Sequence, residues 1–368
     1  MAKHKITKEK SKSTEKLKEI GSNIVKDIEK GKNPVINFPL RNLSNIVFDQ
    51  KTRTLKLGDK MGSRSFFNVA HSKKFLQTVE IASILKKELL ETGKHEHLRG
   101  VFYMAKRTIP GTNVNIVDEQ MESDDVIEDL EVISGLSREQ LHVSANKMGS
   151  MVGNIILEDS GDTIDCSKLG RGGYSIPSIT DELSFKKINA KYVLYMEKAA
   201  IFERLNEDKF WQKNNCTLVT SQGQTTRGIR RLLQRLSEEK DLPIYVLCDW
   251  DIYGAYIYSV IKYGSIALAH ASGKLTIPNV KYVGVTGDDV VKHDLKKHLI
   301  KLTEQDIKRM KQVSEYDWFK DNKEWQRQFK MMKDFNGKVE IQALAARGIS
   351  FISEKYLVDK IKNKEFIE

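Results

Sequence analysis

The chain has 368 residues, of which 40% are hydrophobic, 30% are charged and only six are proline. This composition is ordinary for a globular protein, so it excludes a largely disordered chain, and the length allows two or three domains with cores of their own. No run of about 18 apolar residues occurs in the sequence, which excludes a transmembrane helix. The Lys-rich N-terminus lacks the apolar middle region of a secretory signal, so we expect a protein of the cytoplasm.

The basic residues outnumber the acidic ones, with 61 Lys plus Arg against 50 Asp plus Glu and a net charge of +11. Such an excess predicts a polyanionic partner, nucleic acid first, although Lys-rich thermophile proteins share this bias. Residues 118–131 hold eight acids and no base, and without them the rest of the chain carries +19. We expect this acidic block to face away from DNA, because it would repel phosphates.

Three cysteines, Cys166, Cys216 and Cys248, are spread over the second half of the chain. They are too few and too widely spaced to predict a disulfide framework or a zinc site.

The first 68 residues are predicted to be a basic extension and a linker. The extension places apolar residues at helical spacing, at Leu17, Ile20, Ile24 and Ile28. Nothing local is available to bury this stripe, so it is either a helix that docks on a partner protein, which we favour, or a simple tail. Residues 33–68 carry three short strand patterns, VINFP, NIVFD and TLKLG, separated by turns.

Residues 69–165 are predicted to form a winged helix-turn-helix (CAP-like) domain. The patterns predict helices at 71–92 and 97–107, a helix opening at Ser123, a short helix capped by Ser137, and then a hairpin within 144–161. Several helices followed by a hairpin are the elements of this DNA-binding module, which places a helix in a groove and the hairpin on the backbone.

Residues 166–368 are predicted to form an α/β domain with a parallel sheet, because strand and helix patterns alternate. Buried strands are expected within 191–198, 215–223, 241–251 and 281–289, with helices over 199–207, 226–240 and from Tyr253 onward. The charged segment 300–368 is expected to be mostly helical. The fold class is thus mixed α/β.

Three acids follow two of these strands: Glu197 follows the first, and Asp249 and Asp251 follow the third. Ligands bind at the carboxyl ends of strands in parallel sheets, and carboxylates without histidine or thiolate suit Mg²⁺. A lone D-x-D usually caps a helix and a lone Glu is usually solvated, but the joint pattern predicts a metal site. A metal held there can neutralise charge as a phosphodiester is attacked.

Glycine and arginine residues surround these acids in the sequence, at Gly223, Gly228, Gly254, Arg227, Arg230 and Arg231. Glycines permit close backbone approach and arginines suit phosphate, which is compatible with a DNA-binding surface. An Arg-rich helix face is, however, more often only solvated.

Glu197 with Asp-Trp-Asp at 249–251, on alternating strands and helices, resembles the Toprim domain of topoisomerases, primases and related nucleases. The run DWDIYGAYIYSVIKYGS is closer to the A subunits of archaeal topoisomerase VI and their eukaryotic meiotic double-strand-break relatives. Four further segments resemble that family: MEKAAIFERL, SQGQTTRGIRRLL, GRGGYSIPS and RGVFYMAKR. The resemblance covers roughly residues 70–368.

The chain departs from this family at two positions. The family usually has two adjacent tyrosines where this chain has Phe102 and Tyr103, which leaves Tyr103 as the candidate nucleophile. Ile252 stands where the family often has proline after D-x-D, and we expect little consequence because the acids are kept. By itself, a tyrosine on an apolar helix is most often a core residue. The resemblance, and not the spacing, makes Tyr103 catalytic.

The resemblance implies the DNA-cleaving A subunit of an ATP-dependent type IIB topoisomerase. Tyr103 would attack a phosphodiester to give a transient 5′-phosphotyrosyl double-strand break, and Arg99, four residues earlier on the same helix face, would stabilise the developing charge. Glu197, Asp249 and Asp251 would bind Mg²⁺. The break would be religated after strand passage, which relaxes supercoils and decatenates DNA.

The implied partners are double-stranded DNA, a second copy of the chain in a homodimer, and an ATPase B subunit that completes an A2B2 heterotetramer. Each tyrosine would serve the metal site of the other copy. The sequence contains no G-x-x-x-x-G-K-[ST] motif, so ATP would be used by the B subunit. We expect a nucleoid-associated protein of an archaeon, without a membrane partner.

Two alternatives remain open at this stage. A Toprim nuclease or a meiotic-type breaking enzyme would use the same carboxylates to cut DNA without strand passage. A winged-helix regulator with a degenerate Toprim scaffold would not cut at all, but the intact carboxylates and tyrosine argue against it.

Overall fold

A computed structural model of the chain describes residues 2–145 and 149–368, with side chains from residue 12 onward. The contacts divide the chain into two compact units. The first comprises Met1–Ile46 and Leu57–Asn146, and the second comprises Val47–Lys56 and Lys147–Glu368. Among the helices of the described residues, none is both long and apolar enough to cross a membrane.

The helices of the described residues lie in both units. In chain order they are α1 (Ala2–Glu29), α2 (Val69–Ile84), α3 (Leu98–Ala105), α4 (Gln120–Ser134), α5 (Ala199–Glu207), α6 (Phe210–Lys213), α7 (Arg227–Lys240), α8 (Ile252–Tyr263), α9 (Ser272–Leu275), α10 (Gly287–Lys292), α11 (Glu304–Ser314), α12 (Asp317–Lys320), α13 (Lys323–Phe335) and α14 (Leu357–Lys362). A π-helical turn, Leu85–Leu90, extends α2, and another, Ile352–Tyr356, precedes α14.

The strands are short. In chain order they are β1 (Val35–Pro39), β2 (Ile46–Asp49), β3 (Thr54–Leu57), β4 (Met61–Ser65), β5 (Glu96–His97), β6 (Val143–Ser144), β7 (Ser150–Gly153), β8 (Ile155–Asp159), β9 (Asp162–Asp165), β10 (Tyr174–Ser175), β11 (Ser184–Ile188), β12 (Val193–Met196), β13 (Thr217–Thr220), β14 (Ile244–Leu247), β15 (Lys281–Gly284), β16 (Ile300–Lys301) and β17 (Gly337–Lys338).

The first unit is built on a hydrophobic core shared by its helices. Ile81 and Leu85 lie about one helical turn apart, and both are buried together with Val101 of α3 and Leu130 of α4. Leu17 of α1 belongs to the same core and is 3% exposed. The expectation that the α1 stripe finds nothing local to bury it was therefore wrong at this position.

Most of the acidic block lies on α4, and several of its carboxylates pair with basic residues of the same unit. The Arg41 guanidinium donates a hydrogen bond to Asp129 Oδ1 at 2.9 Å and is also paired with Glu128. Arg64 of β4, which pairs with β1, reaches the other oxygen of Asp129. These ion pairs are mostly buried, and they connect α4 to Arg41, which follows β1, and to Arg64 of β4. The segment 33–68 is thus an ordered part of both units.

Three expectations for this half of the chain differ from the structure. Helix α4 begins at Gln120, three residues before Ser123, because Glu119 and Glu122 form a capping box. Residues 137–142 form hydrogen-bonded turns instead of the predicted helix. The two strands of the predicted hairpin, β7 and β8, pair with other strands and not with each other.

The second unit is organised around a six-stranded sheet with the order β10-β7-β13-β12-β14-β15. Strands β13, β12, β14 and β15 are parallel, as predicted, with Val193 level with both Thr217 and Ile244. Every residue of β12 and β13 is buried, which is typical of parallel strands covered on both faces. The strand order reverses at β12, because β13 lies on one side of it and β14 on the other.

The pairing of strand β7 places it in the second unit. It pairs antiparallel with β13, whereas β8 forms a separate three-stranded sheet with β9 and β11. Residues 149–165, which we expected in the winged-helix domain, consequently pack with the second unit. The domain boundaries that we expect at 68/69 and 165/166 stay predictions.

The remaining expectations for the second unit agree with the structure. Helices α5, α7 and α8 begin within one residue of the predicted positions, and the segment after residue 300 is mostly helical. All three cysteines are free and buried. Burial raises the pKa of the Cys216 thiol to about 12, so this thiol stays protonated.

Candidate metal and nucleophile sites

The three predicted carboxylates lie at the same edge of the parallel sheet. Glu197 directly follows β12, and Asp249 and Asp251 follow β14, the strand beside it. This edge is the carboxyl end of the strands, at the point where the strand order reverses. Such crevices are where ligands bind in open α/β sheets.

Asp249 is 8% exposed and fixed by two partners. Its Oδ1 accepts a hydrogen bond from the backbone N–H of Ile341 at 2.9 Å, and its Oδ2 lies 2.7 Å from Lys198 Nζ. The intervening residue, Trp250, forms a backbone bridge with Val339. A segment far along the chain therefore helps to shape the D-x-D loop.

Asp251 caps helix α8. Its Oδ1 accepts a hydrogen bond from the Gly254 N–H at 2.6 Å, which leaves the second oxygen available. Burial, with the charge of Asp249, raises the pKa of Asp251 in spite of that hydrogen bond. Gly254 allows the close approach, because a Cβ there would lie 2.4 Å from the carbonyl oxygen of Asp249.

The proton affinity of Glu197 is raised by its surroundings. Burial, followed by the negative charges of Asp249 and Asp251, raises the pKa of Glu197 to about 7, while Lys198 opposes the shift. The three carboxylates are therefore close enough to repel one another, and a bound cation would relieve this repulsion.

The donor set fits Mg²⁺ by its chemistry, since it offers carboxylate oxygens only. In the part of the chain that the structure describes, no group of three or more His, Cys, Asp or Glu side chains is placed to hold a metal ion. Lys198 is the cation that neutralises Asp249 here. By chemistry alone, the side chains at this edge of the sheet that could hold Mg²⁺ are those of Glu197, Asp249 and Asp251.

The raised pKa of Glu197 predicts pH-dependent metal binding. Because Mg²⁺ needs the ionised carboxylate, we expect the affinity to rise about tenfold from about pH 6 to about pH 8 and then to level off. Isothermal titration with Mg²⁺ at several pH values measures this. Glu197→Gln should bind more weakly and lose most of the pH dependence. A flat wild-type profile across this range would contradict the prediction.

Tyr103 lies on α3 with 58% of its surface exposed, whereas its neighbour Phe102 is buried in the core. The helix therefore directs the phenylalanine inward and the tyrosine outward. The guanidinium carbon of Arg99 lies 5.9 Å from the centre of the Tyr103 ring, and Lys106 is also exposed. The tyrosine hydroxyl thus stands on a basic, accessible face that suits an approaching phosphate.

His97 fixes the beginning of α3. It is the N-cap residue, and its Nδ1 accepts a hydrogen bond from the backbone N–H of Arg99 at 3.2 Å. The adjacent Glu96 Oε1 accepts from the His97 N–H at 2.6 Å. These bonds set the first turn of the helix that carries both Arg99 and Tyr103.

Replacement of this cap tests its role. His97→Ala removes the acceptor, which costs about 1 kcal/mol of helix stability, and we expect a several-fold lower yield of covalent protein–DNA adduct. His97→Asn, which can cap a helix, should restore most of the yield. Adduct yield and melting temperature are measured side by side. Equal yields for the alanine and asparagine variants would show that capping is not what matters.

Two arginines of α7, Arg230 and Arg231, have partners within the protein. Arg230 is 2% exposed and donates to the Leu275 carbonyl at 3.1 Å, and Arg231 is paired with Asp181. The burial of Arg230 leaves its side chain inaccessible to a phosphate, whereas a phosphate contact by Arg231 stays a prediction. Gly228 permits the packing beside them, since a Cβ there would lie 2.8 Å from the Pro177 carbonyl oxygen.

Sequence analysis missed the neighbours that complete the carboxylate site: Lys198, Glu340, Ile341 and Gln342. The position of Lys198 directly after Glu197 was a usable signal. The contact of segment 339–342 left no pattern in the sequence, because a backbone N–H can come from any residue.

Three family models match the chain. The model for type IIB DNA topoisomerase matches residues 73–143, and the all-beta domain in the DNA topoisomerase VI alpha subunit matches 146–189. The Toprim domain of the topoisomerase 6 A subunits and Spo11 matches 192–361. The chain is 42% identical to the A subunit of type 2 DNA topoisomerase 6 from Pyrococcus abyssi, over 99% of this chain and 98% of the other.

This chain belongs to the topoisomerase VI A-subunit family. The corresponding subunit of Hyperthermus butylicus is 40% identical, over 96% of this chain and 94% of that one, and the subunit of Methanocaldococcus jannaschii is 37% identical, over 95% and 94%. Membership of the family, inferred above from five sequence segments, is thus confirmed. The Toprim match also contains all three carboxylates at the edge of the parallel sheet.

Proposed function

We propose that Tyr103 is the nucleophile with which this chain breaks DNA. As a member of the topoisomerase VI A-subunit family, the chain is the DNA-cleaving subunit of a type IIB topoisomerase. The observation that carries the assignment of the nucleophile is the exposure of Tyr103 beside Arg99, on a helix that buries the neighbouring Phe102.

The proposed reaction is a transesterification. Tyr103 Oη forms a bond to phosphorus, the bond from phosphorus to the 3′ oxygen breaks, and the 3′ oxygen takes up a proton as the phenol loses one. The product is a 5′-phosphotyrosyl link and a free 3′ hydroxyl. Because the link is again a phosphoester, the reverse reaction can reseal the strand without a ligase.

Charge stabilisation is assigned to Arg99 and to a metal ion. The Arg99 guanidinium lies over the Tyr103 ring, where it can meet the oxygens of a phosphate that approaches the hydroxyl. Mg²⁺ held by Glu197, Asp249 and Asp251 would neutralise phosphodiester charge. Tyr103 belongs to the first unit and the carboxylates to the second. We propose that each tyrosine serves the carboxylates of the other copy in a homodimer.

DNA binding is assigned to the first unit, which we propose is a winged helix-turn-helix domain built on α2, α3 and α4. The net charge of +11 belongs to the whole chain and supports a nucleic-acid partner for the protein as such. Arg41, Arg64 and Lys73 pair with four of the eight carboxylates of the acidic block, which reduces its repulsion of phosphates. We propose double-stranded DNA as the ligand and a nucleoid-associated protein.

An ATPase B subunit is the proposed partner protein, in an A2B2 heterotetramer, and it would supply ATP hydrolysis. Helix α1 is the proposed docking element. Its Val25 and Ile28 lie one turn apart and are 52% and 59% exposed, whereas Leu17 is buried in the first unit. The end of α1 thus presents apolar surface that a partner can cover.

A double substitution tests this docking more cleanly than deletion of residues 1–30, which would also remove Leu17 from the core. We expect Val25→Glu with Ile28→Glu to lower the recovery of the B subunit in co-purification at least about tenfold, because two charges would be buried. Val291→Glu, at another exposed apolar position, is the control. Full recovery with the double variant would refute docking through α1.

Covalent trapping tests the proposed function. The chain is incubated with the B subunit, ATP, Mg²⁺ and supercoiled plasmid, the reaction is denatured, and protein attached to 5′ ends is detected. Adduct together with relaxed plasmid supports the topoisomerase. Cleavage with free ends would indicate a hydrolytic nuclease, and DNA binding without cleavage would indicate a regulator.

A further inference from the structure

Lys198 connects two segments that are distant in the chain. Its Nζ lies 2.7 Å from Asp249 Oδ2, 3.3 Å from Glu340 Oε2 and 3.1 Å from Gln342 Oε1. One ammonium group therefore joins the D-x-D loop to the segment that also donates the Ile341 N–H to Asp249.

The charges at this position make Lys198 a firmly held cation. Its side chain is 22% exposed and that of Asp249 is 11% exposed. Burial by itself lowers the pKa of Lys198, but the hydrogen bond and charge of Asp249 outweigh it, and the net shift is upward. Lys198 is consequently charged at neutral pH, close to Glu197 as well as to Asp249.

Lys198 also lies where a metal ion would meet Asp249. Oδ1 accepts the Ile341 N–H, and Oδ2 faces the Lys198 ammonium at 2.7 Å. A divalent ion at Oδ2 would stand close to this ammonium group, and because two positive charges repel each other strongly at short distance, the two cations compete for the carboxylate.

We propose that Lys198 is an internal counter-ion of the carboxylate site, which Mg²⁺ must displace from Asp249 in order to bind. Glu340 and Gln342 retain the displaced ammonium, so it is not left without partners. In this exchange Mg²⁺ takes the place of the Lys198 ammonium group at Asp249, and no proton is transferred. This inference rests on the metal site proposed above.

Titration of the full chain with Mg²⁺ alone, with neither DNA nor the ATPase present, tests the exchange. We expect Lys198→Gln to bind Mg²⁺ about tenfold more tightly than wild type, because the competing cation is gone. Lys198→Arg retains the charge and should bind within about threefold of wild type. Circular dichroism of each variant establishes that it is folded.

Lys338→Gln is the matched control. Lys338 lies close enough to act electrostatically on Asp251, but its ammonium contacts Asp306, at 2.9 Å and 3.1 Å, and not a carboxylate of the site. We expect its Mg²⁺ affinity to change by less than about threefold. An equal gain in both glutamine variants would mean that general charge removal, and not displacement, explains the result.

Glu340→Gln gives a second signature that does not depend on the Lys198 variants. It removes a partner of the displaced ammonium, so Mg²⁺ binding should weaken several-fold, and this loss should vanish when Lys198→Gln is also present. Unchanged or weaker binding by Lys198→Gln, or a Glu340→Gln loss that persists in the double variant, overturns the inference. If Asp249→Asn binds Mg²⁺ like wild type, the proposed metal site itself is wrong.

Discussion

Tyr103→Phe is expected to abolish the covalent protein–DNA adduct, with a loss of at least about a thousandfold in cleavage. The substitution removes one oxygen atom, the only nucleophilic atom of the side chain, and keeps the ring that faces Arg99. Because the ring is exposed, the free energy of unfolding should change little. The trapping assay with supercoiled plasmid, together with a DNA-binding titration, separates loss of chemistry from loss of binding.

Tyr245→Phe is a suitable comparison, because it removes a tyrosine hydroxyl from the second unit at a half-buried ring stacked on Phe366. This variant should form adduct at nearly the wild-type level. Adduct that persists in Tyr103→Phe would assign the nucleophile elsewhere. Cleavage that persists with free 5′ ends would instead favour water as the attacking group.

Asp249→Asn is expected to lower Mg²⁺ affinity by roughly 10–100-fold and to lower cleavage at least as much. The asparagine oxygen can still accept the hydrogen bond from the Ile341 N–H, so the loop geometry should persist. What is lost is the negative charge, which would both attract the divalent ion and pair with Lys198. Calorimetry with Mg²⁺ and the trapping assay measure the two losses.

Asp317→Asn provides the comparison for a neutralised carboxylate, since Asp317 is exposed in the first turn of α12. It should leave both measurements unchanged. If Asp249→Asn cleaved normally at saturating Mg²⁺, the Asp249 carboxylate would contribute only to the binding affinity for Mg²⁺ and not to the cleavage step. Normal cleavage at limiting Mg²⁺ would remove Asp249 from the site.

The parallel sheet could be predicted from the sequence because its signals are local. Runs such as Val193–Met196 are apolar throughout, helices follow them at once, and acids stand where the strands end. Since parallel strands end at one edge, the placement of Glu197 beside Asp249 and Asp251 followed from the alternation alone. The exposure of Tyr103, the proposed nucleophile, did not follow in this way, because it is a property of the packed helix.

The first unit and the strands that directly follow it were less predictable, because their decisive contacts are distant in the chain. Strands β7 and β8 have the pattern and the spacing of a hairpin. The sequence of a short strand does not determine which strand it pairs with, however, and β7 pairs with the edge of the buried strand β13. The pairing of Arg41 with Asp129 spans 88 positions. Charge by itself marks both residues as solvent-facing, and no local pattern predicts that they pair.

The hydrogen bond from Ile341 to Asp249 joins residues 92 positions apart, on either side of helices α8 to α13. The strands that carry the acids are therefore not a self-sufficient module. A fragment that ends before residue 339 would keep every acidic ligand and the whole parallel sheet, yet lose the backbone group that orients one of them. Removing this segment would accordingly be expected to alter the geometry of Asp249 without changing any of the three carboxylates.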